Sequence, residues 1–190
     1  MMRAFLIGLM LVMPCVGQVK SPHVVMHTEL GDIEFELDAV HAPVTTANFL
    51  KYVNAGFYSG GLFHRTVTMQ NQPNNAVKIE VIQAGANPAR KAEGFPAVAL
   101  ERTNKTGLKH LDGTLSMARD GPDTATSDFF VCIGDQPQLD FGGHRNADGQ
   151  GFAAFGKVVR GMEVVRKIQA RPAEGQKIIA PVKILSASAR

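Results

Sequence analysis

The feature that most constrains the fold is a strict alternation of side chains between residues 32 and 38. Acidic residues occupy every second position, and the apolar residues Ile33, Phe35 and Leu37 stand between them. Because successive side chains of a strand point to opposite faces, this period of two predicts a strand with one buried face and one face in water. A β-rich run at residues 23–28 precedes it, and Gly31 begins a turn-like pair. The two runs are therefore expected to form a hairpin.

The rest of the chain continues in short strand-like runs and has only two segments with helical spacing. Further strands are expected at residues 63–68, 79–83, 114–118, 129–133, 154–159 and 182–185. One helix is expected between Pro43 and Gly56. A second is expected from Met162 to Ile168, before Pro172 ends it. Strands and helices do not alternate, which argues against a parallel α/β sheet. We predict an all-β fold, a closed eight-stranded antiparallel barrel capped by two α-helices.

The first seventeen residues have the pattern of a secretory signal peptide. Arg3 precedes an apolar run at residues 4–13, and small residues follow. The run is too short to span a bilayer comfortably. We expect cleavage after Gly17, which leaves a domain of residues 18–190 that is exported to the periplasm or secreted. Two alternatives stay open: a buried N-terminal helix, and lipoprotein processing at Cys15, for which Pro14 is a poor preceding residue.

Composition argues against several classes of function. The 20 Lys and Arg residues exceed the 17 Asp and Glu residues by only three, so a strongly basic nucleic-acid-binding surface is not expected. No spacing typical of a metal site, a phosphate-binding glycine loop or a nucleophile motif occurs, and no cofactor is expected. No second apolar segment approaches 18 residues, so we expect no stable membrane insertion. Removal of residues 1–17 would leave Cys132 without a disulfide partner, and its apolar run predicts a buried residue.

The strand expected at residues 63–68 carries a polar pair beside an aromatic residue. Simple alternation places Phe63 and Arg65 on one face and His64 on the other. An arginine on the outside of a barrel is usually only solvated. From residue types alone, Arg65 therefore has no assigned role.

Several short blocks, taken in their order and spacing, resemble the signature of the cyclophilins. The resemblance extends from about residue 23 to residue 185, and with the N-terminal segment the chain looks most like an exported bacterial member. The blocks are Ala42-Pro43-Val44, Asn48-Phe49, Phe63-His64-Arg65, Ile82-Gln83-Ala84-Gly85, Gly113-Thr114-Leu115-Ser116-Met117-Ala118, Ser127-Asp128-Phe129-Phe130, Phe155-Gly156-Lys157-Val158 and Gly161-Met162-Glu163-Val164-Val165.

The resemblance implies a peptidyl-prolyl cis–trans isomerase that acts on proline-containing peptides and unfolded proteins without a cofactor, often as a monomer. It implies that Arg65 is catalytic, because a guanidinium directed at the prolyl nitrogen would stabilise the twisted amide. The substrate-binding positions implied by the resemblance are His64, Gln83, Val81, Ala118, Phe130, Leu139 and Phe152.

The chain departs from the family pattern in the stretch that leads to Gln83, which is longer than usual. Glu80 takes the place of a pocket phenylalanine, and Val81 takes the place of a methionine. Losing that aromatic residue would weaken proline binding unless the longer stretch supplies a substitute, for which Met69 and Ile79 are candidates.

Two further departures concern Asp128 and Gln138. Asp128 stands where the family usually has glutamine. Gln138 stands where tryptophan or phenylalanine is common, which predicts weak binding of cyclosporin. The altered pocket leaves open a second function, a catalytically weak peptide-binding module that uses the same groove. An unrelated structural β-barrel is a third reading.

Overall fold

A computed structural model describes residues 21–190. The expected signal peptide at residues 1–17, its cleavage site after Gly17, and Cys15 lie outside the described residues. Within residues 21–190, no helix is long and apolar enough to cross a membrane.

The described chain contains nine strands and three α-helices. The strands are β1 (His23–Thr28), β2 (Gly31–Leu37), β3 (Leu62–Val67), β4 (Val81–Gly85), β5 (Thr114–Met117), β6 (Phe129–Cys132), β7 (Ala153–Arg160), β8 (Ala173–Glu174) and β9 (Lys177–Ala189). The helices are α1 (Pro43–Asn54), α2 (Thr103–Thr106) and α3 (Met162–Gln169), and 3-10 turns lie at Pro88–Glu93 and Pro137–Leu139.

Eight of the strands close into one antiparallel barrel. Their order is β1-β2-β7-β5-β6-β4-β3-β9, and β9 pairs with β1 to close the circle, while the two-residue β8 pairs only with β9. The predicted closed eight-stranded barrel is confirmed. The prediction of two helices omitted α2, because a single turn of four residues has no apolar periodicity to reveal it.

The period of two divides the apolar residues of the barrel into two clusters. On β4, Ile82 and Ala84 belong to the main core, whereas Val81 belongs to a second cluster on the opposite face. On β6, Phe129 belongs to the core and Phe130 to the second cluster. This second cluster lies on the outside of the barrel and contains Val67, Ile79, Val81, Phe130, Cys132 and Leu139, with Ala118 and Phe152 packed against it.

The helices and Cys132 contribute to these clusters as the sequence predicts. Helix α1 places Phe49 in the core, where its ring packs edge to face with the ring of Phe129 and the two ring centroids are 5.4 Å apart. Helix α3 buries Val165 and Ile168. Cys132 is fully buried, which confirms its prediction, and burial raises the pKa of its thiol well above the ordinary value.

A β-bulge at His64 changes which face of β3 carries Arg65. Phe63 pairs with Ala84 and Arg65 pairs with Gln83, so two steps along β3 correspond to one step along β4. Phe63 therefore packs in the core, whereas Arg65 lies on the outer face with Gln83. The prediction that Phe63 and Arg65 share a face is wrong, because the extra residue of a bulge shifts the alternation.

Candidate active site

A groove of about 400 Å³ crosses the outer face of β3, β4 and β6. It brings together the predicted catalytic residue and nearly all of the predicted substrate-binding residues, although they come from distant parts of the chain. Those that line it are Arg65, Val81, Gln83, Ala118, Phe130, Leu139 and Phe152.

His64 is the predicted site residue that does not line the groove. Its ring Nδ1 lies 3.3 Å from the carbonyl oxygen of Leu62. As the extra residue of the bulge, it has no partner in the pairing of β3 with β4. Its expected contact with substrate stays a prediction that the geometry does not favour. Gln138 also lies outside the lining, and its side-chain oxygen accepts a hydrogen bond from the backbone N–H of His144 at 3.0 Å.

The floor of the groove is apolar. The rings of Phe130 and Phe152 meet edge to face, with centroids 5.3 Å apart, and Leu139 is 1% exposed beside them. Val81 and Ile79 complete this side of the groove. These side chains form an apolar surface, here called the apolar pocket, against which a small apolar ring can pack.

Of the two candidates to replace the missing pocket phenylalanine, only Ile79 lines the groove. Ile79 lines the groove and is 6% exposed, whereas Met69, the other candidate, is 45% exposed and lies outside the lining. Glu80 is not part of the lining, and its Oε1 accepts a hydrogen bond from Gln169 Nε2 at 3.3 Å. The apolar character of the pocket is therefore kept despite the acidic residue in the sequence.

Two glutamine side chains hold the Arg65 guanidinium. Nη1 donates to Gln83 Oε1 at 2.8 Å, while Nε and Nη2 both donate to Gln176 Oε1, at 3.0 and 2.5 Å. Gln176 follows β8 in the turn to β9, and its carbonyl oxygen accepts from the backbone N–H of Thr66 at 2.9 Å. Because Arg65 is bound from two sides, the direction of its guanidinium is set before any ligand arrives.

Gln176 is a site residue that sequence reasoning missed. It lies 111 residues from Arg65 in the chain, and no motif marks it. A polar residue after Gly175, in the turn between β8 and β9, is the only signal, and such residues are common in turns that carry no function.

The charge of Arg65 is not matched by a carboxylate. Within residues 21–190, no Asp or Glu oxygen lies within 4.0 Å of its guanidinium; the ion pairs and the His–carboxylate contacts all involve other residues. Burial lowers the pKa of Arg65, and the positive charge of Arg145 lowers it further. An arginine still stays protonated at neutral pH, so Arg65 presents to the groove a positive charge that no carboxylate contacts directly.

A buried histidine supports the floor from behind. The ring of His110 stacks on that of Phe130, with centroids 6.0 Å apart and planes at 16°. Its Nδ1 lies 2.8 Å from Asp140 Oδ1, and because a carboxylate only accepts, Nδ1 carries a hydrogen. Its Nε2 lies 3.0 Å from Ser116 Oγ. This histidine was not singled out from the sequence, in which it is an isolated polar residue before β5.

The arrangement suits ligand binding and charge stabilisation rather than bond cleavage. It combines an apolar pocket with a fixed guanidinium, so it fits an apolar ring that carries a hydrogen-bond acceptor. In the described part of the chain, no group of three or more His, Cys, Asp or Glu residues is placed to hold a metal ion.

Comparison with known proteins gives a consistent result. Residues 23–189 match the family described as cyclophilin type peptidyl-prolyl cis-trans isomerase/CLD. The chain is 40% identical over 156 residues to peptidyl-prolyl cis-trans isomerase A of Dickeya dadantii, covering 82% of this chain and 75% of that protein. It is 37% identical over 147 residues to peptidyl-prolyl cis-trans isomerase B of Escherichia coli, covering 77% and 83%.

Solved structures agree with the sequence relatives. The crystal structure of a cyclophilin type peptidyl-prolyl cis-trans isomerase from Cryptosporidium parvum superposes with a TM-score of 0.71 and 26% identity, covering 90% of this chain and 98% of that one. A second structure of that protein, in the presence of the dipeptide Ala-Pro, has a TM-score of 0.68. Sequence and fold lead to one conclusion: the chain belongs to the cyclophilin-type peptidyl-prolyl cis–trans isomerase family.

Proposed function

We propose that this protein catalyses the cis–trans isomerisation of Xaa-Pro bonds in exported polypeptides and thereby assists their folding. The observation that carries the proposal is the position of Arg65. Its guanidinium is fixed by Gln83 and Gln176 on the same groove as the apolar pocket of Phe130. The Ala-Pro dipeptide used with the Cryptosporidium relative supports proline-containing peptides as the ligand class.

The chemical task requires no nucleophile. Rotation about an Xaa-Pro bond has a barrier of roughly 20 kcal/mol, which an enzyme lowers by binding the twisted amide better than either planar isomer. With the proline ring in the apolar pocket, twisting removes conjugation from the prolyl nitrogen and makes it a better acceptor. The Arg65 guanidinium then donates to that nitrogen and stabilises the twisted state.

Gln83 has a second task in this mechanism. Its side-chain oxygen accepts from Arg65, and within residues 21–190 its NH2 group has no acceptor. That group is free to donate to a substrate carbonyl oxygen. The oxygen of the Gln83 amide thus aligns the guanidinium, and its NH2 group holds the peptide backbone. Both contacts reduce the conformational freedom of the bound peptide.

The test is the isomerisation rate of a short Xaa-Pro peptide, measured with the chain from Gln18 and its Arg65→Ala variant. We expect a large rate enhancement that falls by about two orders of magnitude or more in the variant. Arg160→Ala is the matched control, since Arg160 pairs with Glu34 away from the groove. Equal rates for the wild type and Arg65→Ala would contradict the proposal. Peptide binding without turnover would favour a peptide-binding module.

Export is part of the proposal and has its own test. Its support is the pattern of residues 1–17, a basic start followed by a short apolar run. We expect the protein in the periplasmic or extracellular fraction, with an N-terminus at or near Gln18. Recovery of the chain with Met1 intact from the cytoplasmic fraction would contradict export and leave the isomerase proposal untouched. Mass spectrometry of the same sample distinguishes a lipid on Cys15.

A further inference from the structure

Besides Arg65, the groove is lined by two further arginines, Arg119 and Arg145, and the isomerase mechanism uses neither. Arg145 lies in the loop between the 3-10 turn Pro137–Leu139 and β7, and it lines the groove together with Arg65. The two charges are close enough that Arg145 lowers the pKa of Arg65. Two like charges on one groove are unfavourable unless an anion lies between or beside them.

Arg145 is held in place by neutral groups. Its Nη1 donates to Gln72 Oε1 at 2.9 Å and to the carbonyl oxygen of Val77 at 2.8 Å. Gln72 is fully buried, and its own NH2 donates to the carbonyl oxygens of Thr68 and Ile79, both at 2.7 Å. Gln72 thus ties together residues 68 and 79 of the long stretch before β4, and this closed loop supplies both acceptors of Arg145.

The edge of the Arg145 guanidinium formed by Nε and Nη2 has the geometry that binds a carboxylate. Within residues 21–190, neither its Nε nor its Nη2 has a hydrogen-bond acceptor, and no carboxylate oxygen lies within 4.0 Å of its guanidinium. An arginine that offers two adjacent N–H donors binds a carboxylate in a bidentate manner. The neighbouring Arg119 differs, because Asp148 takes both of its terminal nitrogens, at 2.8 and 3.0 Å.

Asp128, one of the two acidic residues that line the groove, lies at the end of β4 opposite Val81. Along β4, the outer-face positions are Val81, Gln83 and Gly85, spaced by roughly 7 Å. A side chain at Gly85 would collide with the Asp128 carboxylate, so Asp128 lies at that end. Asp120 also lines the groove, from the same connection between β5 and β6. Among the described residues, neither carboxylate lies within 4.0 Å of the Arg65 or Arg145 guanidinium.

The basic end of the groove coincides with the apolar pocket. Arg145 binds the carbonyl of Val77, and two residues later Ile79 enters the pocket beside Val81. A group bound by Arg145 therefore lies next to the site proposed for the proline ring. This places the anion within one or two residues of the proline in the peptide.

We propose that Arg145 makes the groove select peptides that carry a carboxylate within one or two residues of the proline. The carboxylate comes from an Asp or Glu side chain or from the C-terminus of the peptide, since both present the same two oxygens. This inference rests on the proposed function, because it assigns a substrate preference to that groove.

The test compares matched acidic and neutral peptides by NMR exchange, which yields both turnover and affinity. One set of capped peptides contains Ala-Pro with Glu or Gln at the second position before, or directly after, the proline. A second set ends at or just after the proline as a free acid or as an amide. We expect at least one acidic peptide to exceed its neutral partner about three- to tenfold in kcat/KM. The two sets distinguish the side-chain source from the terminal source.

The variants decide whether Arg145 is responsible. In Arg145→Gln, the acidic-to-neutral ratio is expected to fall to about one, and in Arg145→Lys, which keeps the charge, it stays above one. A role confined to supporting the Gln72 loop would give both variants the same ratio. Arg160→Gln removes an equal charge outside the groove and leaves the wild-type ratio unchanged. High salt reduces the wild-type ratio, because this side of the groove is open to ions.

Two outcomes would overturn the inference: ratios near one for every wild-type pair, or an unchanged ratio in Arg145→Gln. Failure of the proposed function looks different, since the neutral peptides would then show no turnover at all. In that case the dissociation constants of the same peptide pairs still test the selection by Arg145.

Discussion

Arg65 and Gln83 face each other across β3 and β4, with Nη1 2.8 Å from Oε1. They meet only because the bulge at His64 turns Arg65 from the face of Phe63 to the outside of the barrel. Without the extra residue, simple alternation would direct the guanidinium into an apolar core, where an unpaired charge is very costly. The bulge therefore creates the site while leaving the core intact.

The shape of the guanidinium matters in addition to its charge. Arg65→Lys keeps the charge, but an ammonium group cannot bind Gln83 and Gln176 from a planar fork. We expect kcat/KM for a neutral Xaa-Pro peptide to fall about a hundredfold, with KM changed little. Steady-state kinetics with the chain from Gln18 measures this. Wild-type kcat in the lysine variant would show that charge alone is sufficient.

Gln176 is predicted to be a positioning residue, because it acts on substrate only through Arg65. Gln176→Leu removes the acceptor of Nε and Nη2, and we expect kcat to fall about tenfold with KM within twofold of wild type. Gln176→Glu keeps an acceptor and should recover most of the loss. If both variants lose activity equally, together with a lowered Tm, the role of Gln176 is support of the β8–β9 turn only.

Ile79 and Glu80 form a matched pair for testing the pocket. Ile79→Ala removes buried apolar surface from the groove, and we expect KM to rise about fivefold. Glu80→Ala changes the neighbouring residue, whose side chain bonds Gln169 outside the groove, and should leave KM unchanged. Peptide titration of both variants provides the comparison. A larger effect at Glu80 would mean that the acidic residue, rather than Ile79, occupies the place of the usual phenylalanine.

The pair formed by His110 and Asp140 predicts a defined acid sensitivity. Burial raises the pKa of Asp140, but the hydrogen bonds and charge of His110 outweigh it, so that the pKa lies below its ordinary value of 3.8. A carboxyl whose folded pKa is lowered stabilises the fold above its unfolded pKa, and this contribution is lost as the pH falls through the folded pKa.

We therefore expect Asp140→Asn to lower the free energy of unfolding at pH 7 by about 1–3 kcal/mol. The difference from wild type should shrink as the pH falls below about 3.8. Thermal unfolding between neutral pH and pH 2 checks both statements. Asp120→Asn, at an exposed position, serves as the control. A difference that stays constant down to the lowest pH would exclude ionisation of Asp140 as its source.

Much of the architecture could be predicted from local patterns. The alternation of Ile33, Phe35 and Leu37 is confirmed as strand β2, with each of them buried. The spacing after Pro43 is confirmed as helix α1. These predictions succeed because the period of burial along a strand or helix depends only on residues that are neighbours in the chain. The family resemblance added the candidate site residues, of which His64 alone lies outside the groove.

The electrostatic character of the groove was decided by tertiary structure. Gln176 reaches Arg65 across 111 residues, and Arg145 reaches Gln72 across 73. Ile79 lines the groove and Met69 does not, which counting along the chain could not decide. Such contacts depend on strand register, on one bulge and on how two loops fold against each other. A change of one residue in register moves a side chain to the other face of the sheet. Local sequence therefore determines the strands and helices of the barrel. The pairing of those strands and the packing of the loops determine which charged side chains meet in the groove.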